Sequence, residues 1–209
     1  MSRRTAIPLS LLPLLALLAS GCASTATVVP GKALALIDVQ YPESRMTGVA
    51  MAPGEETPTS RMAQALVRQI GEAGRYQIVD ARSAGVRPAD LGRDATKTAA
   101  LKQAAPADAY LGVRLLDCAS RPTQETERRG SGPSAVEVTV YFFRAECTAE
   151  LTAYDADGKS LAILQKSGRF DSPKQDRRDE ASMQSQALTL AVDDTARRLA
   201  RELQPTAAR

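Results

Sequence analysis

Residues 136–165 read VEVTVYFFRAECTAELTAYDADGKSLAILQ. This stretch decides the fold, because its apolar residues alternate with polar ones as they do in a strand with one buried face. The apolar positions are even-numbered first and odd-numbered later: Val136, Val138, Val140 and Phe142, followed by Ala145, Cys147, Ala149, Leu151 and Ala153. The change of parity predicts a β-bulge near residues 142–144, since one extra residue exchanges the two faces of a strand. Asp157-Gly158 then predicts the tight turn of a hairpin into a strand at 161–165.

The periodicity on both sides of this hairpin predicts further strands and three helices. Strands are expected at 33–39, 47–52, 76–80 and 109–118. The first helix is expected to be capped by Thr59 or Ser60 and ended by Gly74, and the others to cover 95–104 and about 179–203. Residues 119–134 hold one apolar residue among several Gly and Pro, so a mobile surface loop is expected there.

This order of elements predicts an α/β fold of the α+β kind. Helices that are interleaved with strands pack on the faces of a mixed β-sheet. We therefore expect a mixed β-sheet with helices packed on it, a long β-hairpin and a C-terminal helix. These elements form a single domain over residues 33–205.

The amino-terminal segment has the features of a lipoprotein signal. Arg3 and Arg4 precede an uncharged, Leu-rich stretch at 6–19, which is too short and too interrupted by prolines to cross a bilayer. Leu18-Ala19-Ser20-Gly21-Cys22 resembles the lipobox of bacterial lipoproteins, in which the cysteine thiol is diacylated, the peptide before it is cut and the freed amine is acylated. We therefore expect a lipoprotein signal peptide at 1–21 and lipidation, for example with palmitate, at Cys22.

Residues 22–32 are small and polar and contain a Pro-Gly break, so they are expected to form a lipid-anchored tether that reaches about 30–35 Å. Ala23 follows the cysteine where an Asp would resemble the inner-membrane retention signal. The expected location is therefore the periplasmic face of the outer membrane, with the inner membrane as the alternative. Two or three acyl chains would hold the protein there stably.

The composition excludes several kinds of chemistry. The chain has 209 residues and contains no His and no Trp. The lack of His excludes Ser-His-Asp and Cys-His triads and all His-ligated metal sites, so we expect no enzyme, no cofactor and no bound metal. Lys and Arg number 27 against 24 Asp and Glu, and loss of Arg3 and Arg4 with the signal leaves a net charge of +1. A nearly neutral chain has no electrostatic footprint for nucleic acid.

Two cysteines remain if Cys22 carries lipid. Cys118 and Cys147 are then an even pair in an oxidising compartment and are expected to form a disulfide. Two buried free thiols are the alternative.

The remaining candidate residues lie in or near the hairpin. Arg128 and Arg129 are candidates for contact with anionic lipid headgroups or a partner protein, and solvated loop charges are the alternative. Tyr141 and Phe143 are candidates for an exposed interaction patch, and core packing is the alternative. Residues 155–158 match only the first positions of a calcium-binding loop, so a plain hairpin turn is expected there.

Several short motifs, taken in their order, resemble a known group of envelope proteins. They are Val49-Ala50-Met51-Ala52-Pro53, the helix at 62–70, the strand at 74–82, Ala107–Val113 and the hairpin turn at 154–159. This order is similar to that of the TolB N-terminal domain, the curli-export lipoprotein CsgG and the penicillin-binding-protein activator LpoB, and the likeness covers about 45–205. The resemblance implies a TolB-N/LpoB-like fold. The proteins of this group are not enzymes and scaffold, dock onto or export through the envelope.

The expected function is that of a lipid-anchored envelope protein whose periplasmic domain binds another envelope protein as an adaptor or assembly factor, without catalysis. The alternative is a subunit of an oligomeric, CsgG-like export pore. The oligomeric state separates these two hypotheses.

Overall fold

The computed structural model describes residues 27–29, 31–41, 56–175 and 180–205. In chain order the elements are β1 Thr27–Val29, β2 Ala33–Gln40, α1 Pro58–Glu72, β3 Gln77–Asp80, α2 Ala95–Ala104, β4 Ala109–Arg129, β5 Val136–Tyr154, β6 Ser160–Asp171, α3 Glu180–Glu202 and β7 Leu203–Pro205. Short 3-10 turns lie at 82–84, 88–90 and 132–134. The predicted strand at 47–52, the signal at 1–21 and Cys22 lie outside the described residues.

The main sheet has five strands in the order β3-β2-β4-β5-β6. β2 pairs in parallel with β3 and β4, whereas β4–β5 and β5–β6 are antiparallel hairpins. The predicted mixed sheet with helices packed on it is therefore confirmed.

The larger core lies between one face of this sheet and helices α1 and α3. It is built mainly from odd-numbered residues of β4 and β5, with Cys118 joining them after the register shift between Leu115 and Asp117. The apolar stripes of the two helices complete it, and its members include Met62, Leu66, Leu111, Leu151, Val192 and Leu199. α1 begins two or three residues earlier than predicted, because the Thr57 side chain accepts a hydrogen bond from the Ser60 N–H and Pro58 occupies the first helical position.

A smaller core lies on the opposite face of the sheet. α2 and the loop after β3 cover Ala35, Ile37 and Tyr110 there, and contribute Leu91 and Leu101. Asp94 caps α2 by accepting a hydrogen bond from the Lys97 N–H, so this helix has the predicted bounds. α2 and its loop cover only part of this face, and the rest of the face is open.

The prediction of a mobile loop at 119–134 is wrong for most of that segment. β4 continues to Arg129 and pairs residue by residue with β5, from Asp117 opposite Thr148 to Arg129 opposite Val136. The outer residues of β4, 121–129, are exposed or half-buried, so they need no apolar side chains and give no strand signal in the sequence. Only residues 130–135 form the connection between the two strands.

The predicted bulge at 142–144 is also wrong for β5, because β5 pairs with β4 without a register break there. The extra residue lies instead in the segment that follows β6, residues 172–175, which pairs with the edge of β5 that faces away from β4. Phe143 bonds to Ser172 and Tyr141 bonds to Gln175, so two residues of that segment stand opposite Phe142 alone. Phe142 is buried and packs with the larger core, and the charged groups of Arg144 and Lys174 lie 5.5 and 5.8 Å from the centre of its ring.

The predicted tether at 22–32 is shorter than expected. Residues 27–29 form β1, which pairs in parallel with β7 after α3, and Val29 is fully buried in the larger core. The Tyr76 hydroxyl donates to the Val29 carbonyl over 3.1 Å and holds this segment against the body. Three-residue strands carry no periodicity, so the sequence pattern does not reveal this pair.

Candidate functional site

Cys118 and Cys147 face each other across the β4–β5 ladder, with Cα atoms 4.0 Å apart, and are joined by a disulfide. Both side chains are buried beneath α3, where the Thr195 hydroxyl donates to the Cys147 carbonyl over 2.8 Å. The structure thus confirms the predicted pair, and the bond joins the two long strands beneath the helix.

Beyond the disulfide the hairpin continues as a two-stranded arm, which we define as residues 123–142. Its outer residues are largely exposed, and Val136 near the tip has 61% of its surface in solvent. β2 pairs with β4 only as far as Arg114, and β6 pairs with β5 as far as Arg144. Among the described residues, both outer edges of the arm beyond Tyr141 therefore have no ladder partner.

The two aromatic candidates at the base of the arm differ in exposure. Phe143 is 5% exposed and belongs to the larger core, so its proposed place in an exposed patch is wrong. Tyr141 is half-buried, and its backbone pairs with Gln175. Tyr141 lines a shallow hollow of about 200 Å³ with residues 122–124 and Phe142.

Salt bridges and hydrogen bonds of charged side chains stabilise the arm. The Lys174 ammonium lies 2.7 Å from Glu125 and 2.6 Å from Glu127, and hydrogen bonds to these carboxylates raise the pKa of Lys174. Arg129 lies 3.7 Å from Glu127, and Arg128 donates to the Gly132 carbonyl in the connection at the tip. Both candidate arginines are thus placed at the far end of the arm.

The strand directions fix which end of the molecule carries the arm. The beginning of β2 lies beside the beginning of β4, where Asp108 accepts hydrogen bonds from the N–H groups of Lys32 and Ala33 over 2.7 and 2.9 Å. β4 runs parallel to β2 away from this end and reaches the tip at Arg129. Over 21 residues, at about 3.3 Å each, the tip lies at most about 70 Å from the end where the chain enters the domain.

The open part of the second sheet face holds a cleft of about 810 Å³. Its floor is formed by β4 and β5 at Gly112 and Thr152, and its wall by the loop 87–93 and the hairpin turn 157–159. A Cβ atom at Gly112 would lie 2.8 Å from the Pro88 ring, so the missing side chain lets the wall approach the floor.

Two further glycines join the two parts of the wall. A Cβ atom on Gly92 would lie 2.0 Å from the Asp157 carbonyl oxygen, and one on Gly158 would lie 2.4 Å from the Leu91 carbonyl oxygen. Both glycines have positive φ angles, +69° and +78°, which other residues rarely adopt. The wall is therefore a closely packed contact of two backbones with a fixed shape.

The charges that line the cleft are unevenly paired. The Arg114 guanidinium lies 3.1 Å from Glu150, and Asp38 accepts a hydrogen bond from the Gln40 amide over 2.5 Å. Arg93 and Lys159 form no ion pair with any described residue. The third unbridged cation is Arg87, whose backbone N–H donates to Asp90.

Sequence reasoning identified only Asp157-Gly158 among the cleft residues, as a turn. That prediction is confirmed, because Asp155 accepts hydrogen bonds from the N–H groups of Asp157 and Lys159 and so shapes a hairpin turn.

Within the described residues no group of three or more Cys, Asp or Glu side chains converges as metal ligands would. No described helix is both long and apolar enough to cross a bilayer.

No protein-family model and no curated protein sequence matches the chain. Solved structures match it at low identity. A minor lipoprotein from Acinetobacter baumannii is 13% identical, with 82% of this chain and 91% of that chain covered and a TM-score of 0.39. Lipoprotein GNA1162 from Neisseria meningitidis is 16% identical over 74% of this chain and 90% of that chain, with a TM-score of 0.37.

Protein XCC0632 from Xanthomonas campestris is 14% identical, with 83% of this chain and 88% of that chain covered and a TM-score of 0.41. Because the sequence identities and TM-scores are this low, the function is argued from the residues of this chain alone.

Proposed function

We propose that this protein is a lipid-anchored lipoprotein of the bacterial outer membrane whose periplasmic domain binds another envelope protein as an adaptor or assembly factor. The lipobox that ends in Cys22 supports the anchor. The lack of His supports a role without catalysis. The similarity of its motifs to the TolB, CsgG and LpoB group supports a docking role.

The observation that carries the proposal is that the arm leaves the end of β4 opposite to the end beside which β2 begins. Thr27 follows Cys22 by five positions, so a lipid anchor at Cys22 would keep Thr27, the first residue of β1, within about 18 Å of the lipid surface. Tyr76 holds β1 to the body through Val29, and β2 begins four residues after Val29. An anchored domain of this shape holds Arg128 and Arg129 away from its own membrane, which favours a protein partner over lipid headgroups.

Mass spectrometry of the purified native protein tests the anchor. We expect the mature chain to begin at Cys22 with an acyl mass added, and Cys22→Ala to remain unprocessed or leave the membrane fraction. Thr25→Ala is the matched control and should be processed normally. A mature chain that begins elsewhere without lipid overturns the anchor.

Photo-crosslinking in intact cells tests the docking role. A crosslinking amino acid at Ser131, in the connection at the tip of the arm, should capture one discrete envelope protein. The same amino acid at Gln64, an exposed position on α1, is the control and should not capture it. Equal capture at both positions, or none at either, overturns the role assigned to the arm.

The alternative, a subunit of an oligomeric export pore, is favoured by the two unpaired edges of the arm, which could join neighbouring copies. One feature of the arm opposes it. Val138 and Val140 stand opposite Glu127 and Glu125, so the face that carries the valines also carries carboxylates. Electron microscopy of the detergent-solubilised protein separates the two functions: closed rings support the pore, and monomers or dimers support the adaptor.

A further inference from the structure

We propose that the cleft on the open sheet face binds an acidic peptide segment of a protein partner. This inference rests on the proposed adaptor function and names the chemistry of the segment that the adaptor holds. It concerns a surface separate from the arm, on the floor of the sheet between loop 87–93 and turn 157–159.

The shape of the cleft is already set before a ligand arrives. Gly92, Gly112 and Gly158 allow backbone contacts that any side chain would block. A wall held by such contacts does not have to be ordered on binding, and preorganisation of this kind reduces the entropic cost of association. A volume of about 810 Å³ is within the range of ligand-binding clefts, so several residues of an extended peptide can enter.

The charge balance selects an anionic ligand. Of the three lining carboxylates, Glu150 is paired with Arg114, whereas Asp38 and Asp157 keep their charges, because the Gln40 amide that donates to Asp38 is neutral. Arg87, Arg93 and Lys159 have no salt bridge to a described residue and outnumber these two carboxylates, so the lining carries one net positive charge. Carboxylates of a ligand would form salt bridges with these cations, and guanidinium groups bind carboxylates with two parallel hydrogen bonds.

The remaining lining favours a peptide over a membrane surface. Pro88, Val113 and Tyr154 offer apolar contact between the charged groups, as a peptide-binding cleft requires. Gly112 and Thr152 form a buried floor at the bottom of a recess, which a planar layer of headgroups cannot reach. An extended chain with Asp or Glu side chains fits both the depth and the charge of this cleft.

Fluorescence anisotropy with the full-length protein in detergent tests the proposal. The probe is a fluorescein-labelled hexaglutamate peptide, and labelled hexaglutamine is the neutral control. The cleft variant is Arg93→Gln/Lys159→Gln, which removes two exposed charges without disturbing a hydrogen bond within the described residues. The matched control is Lys102→Gln/Arg121→Gln, which removes the same charge from exposed positions outside the cleft.

We expect the cleft variant to raise the Kd for hexaglutamate at least tenfold and the control variant to change it less than twofold. Circular dichroism should show both variants folded. Equal weakening by both variants, no change in either, or equal binding of hexaglutamine overturns the proposal. Cleft-dependent binding to vesicles with anionic headgroups in place of the peptide also overturns it. The titration does not depend on lipidation or on a cellular partner, so its failure leaves the proposed function standing, and failure of the anchor leaves the cleft result readable.

Discussion

At the scale of single residues, Asp108 fixes the position at which the chain enters the sheet. Its carboxylate accepts the N–H groups of Lys32 and Ala33, and these two hydrogen bonds lower its pKa below the ordinary value of 3.8. It thereby ties the beginning of β2 to the beginning of β4. Gly31 adjoins this contact and has a φ of +85°, and a Cβ atom there would collide with the Asp108 side chain.

Asp108→Asn should destabilise the protein by about 1 kcal/mol at pH 7, near the lower end for hydrogen bonds to a charged group because the carboxylate is exposed. Since the folded pKa is lowered, the contribution is present above the unfolded pKa and disappears as the pH falls through the folded pKa. Urea unfolding of both proteins at pH 7 and pH 3 measures this difference.

Asp117→Asn is the control for this substitution. Asp117 is an exposed carboxylate on β4, and its side chain accepts no hydrogen bond from a described residue. The control should change the free energy of unfolding by less than about 0.5 kcal/mol, as is common for surface substitutions. A loss for Asp108→Asn that is as large at pH 3 as at pH 7 would contradict the role of the charge.

At the scale of elements, the contact between α3 and β6 depends on a missing side chain. A Cβ atom at Gly168 would lie 2.4 Å from the Thr195 amide nitrogen and 2.6 Å from the Ala191 carbonyl oxygen. Gly168→Ala should therefore push the helix from the sheet and destabilise the protein by about 2 kcal/mol. Gly71→Ala is the matched control: no atom lies within 4 Å of its Cβ position near the end of α1, so it should stabilise by about 0.5 kcal/mol. Thermal unfolding of both variants should give shifts of opposite sign, and shifts of the same sign would refute the packing argument.

The disulfide is the second feature that stabilises the contact between elements, because it joins β4 to β5. Cys118 and Cys147 are 29 residues apart, and a cross-link that closes a loop of this length stabilises by about 3.6 kcal/mol in the chain-entropy account. Cys118→Ala/Cys147→Ala should lower the free energy of unfolding in guanidinium chloride by about that amount. A reductant should bring the unchanged protein to the same value and leave the variant unaffected. If the reductant has no effect on the unchanged protein, the bond contributes nothing to stability.

Elements that bury an apolar stripe were predictable from the sequence, and elements that do not were missed. α2 has its predicted bounds because Asp94 caps it, and α3 is close to its predicted bounds because Leu188, Val192 and Leu199 repeat at helical spacing. The outer half of β4 was missed because polar strands in solvent look like loops. The cleft was missed because its residues come from five separate segments, and which of its charged side chains lack an ion pair is a property of the folded chain alone.

At the scale of the whole molecule, the beginning of β2, the cleft and the arm occupy successive positions along β4. The chain enters the domain beside the first residue of β4, the cleft lies at Gly112–Arg114, and the arm occupies the last third of the strand. A partner that binds both surfaces would contact the protein at two points and gain avidity if the geometry allows both contacts at once.

This order predicts which parts of the protein approach the bilayer. The native protein is reconstituted in vesicles whose headgroups carry a quencher, with a fluorescent amino acid at Lys32 in one variant and at Ser131 in the other. Lys32 lies at the end of the domain where β2 begins, three residues after β1, so its fluorescence should fall strongly. Ser131 is at the tip of an arm directed away from this end and should keep most of its fluorescence. Cys22→Ala added to the Lys32 variant is the control and should restore its fluorescence, because the domain leaves the vesicle. Strong quenching at Ser131 would mean that the arm lies along its own membrane, and a partner across the periplasmic space could then not be its target.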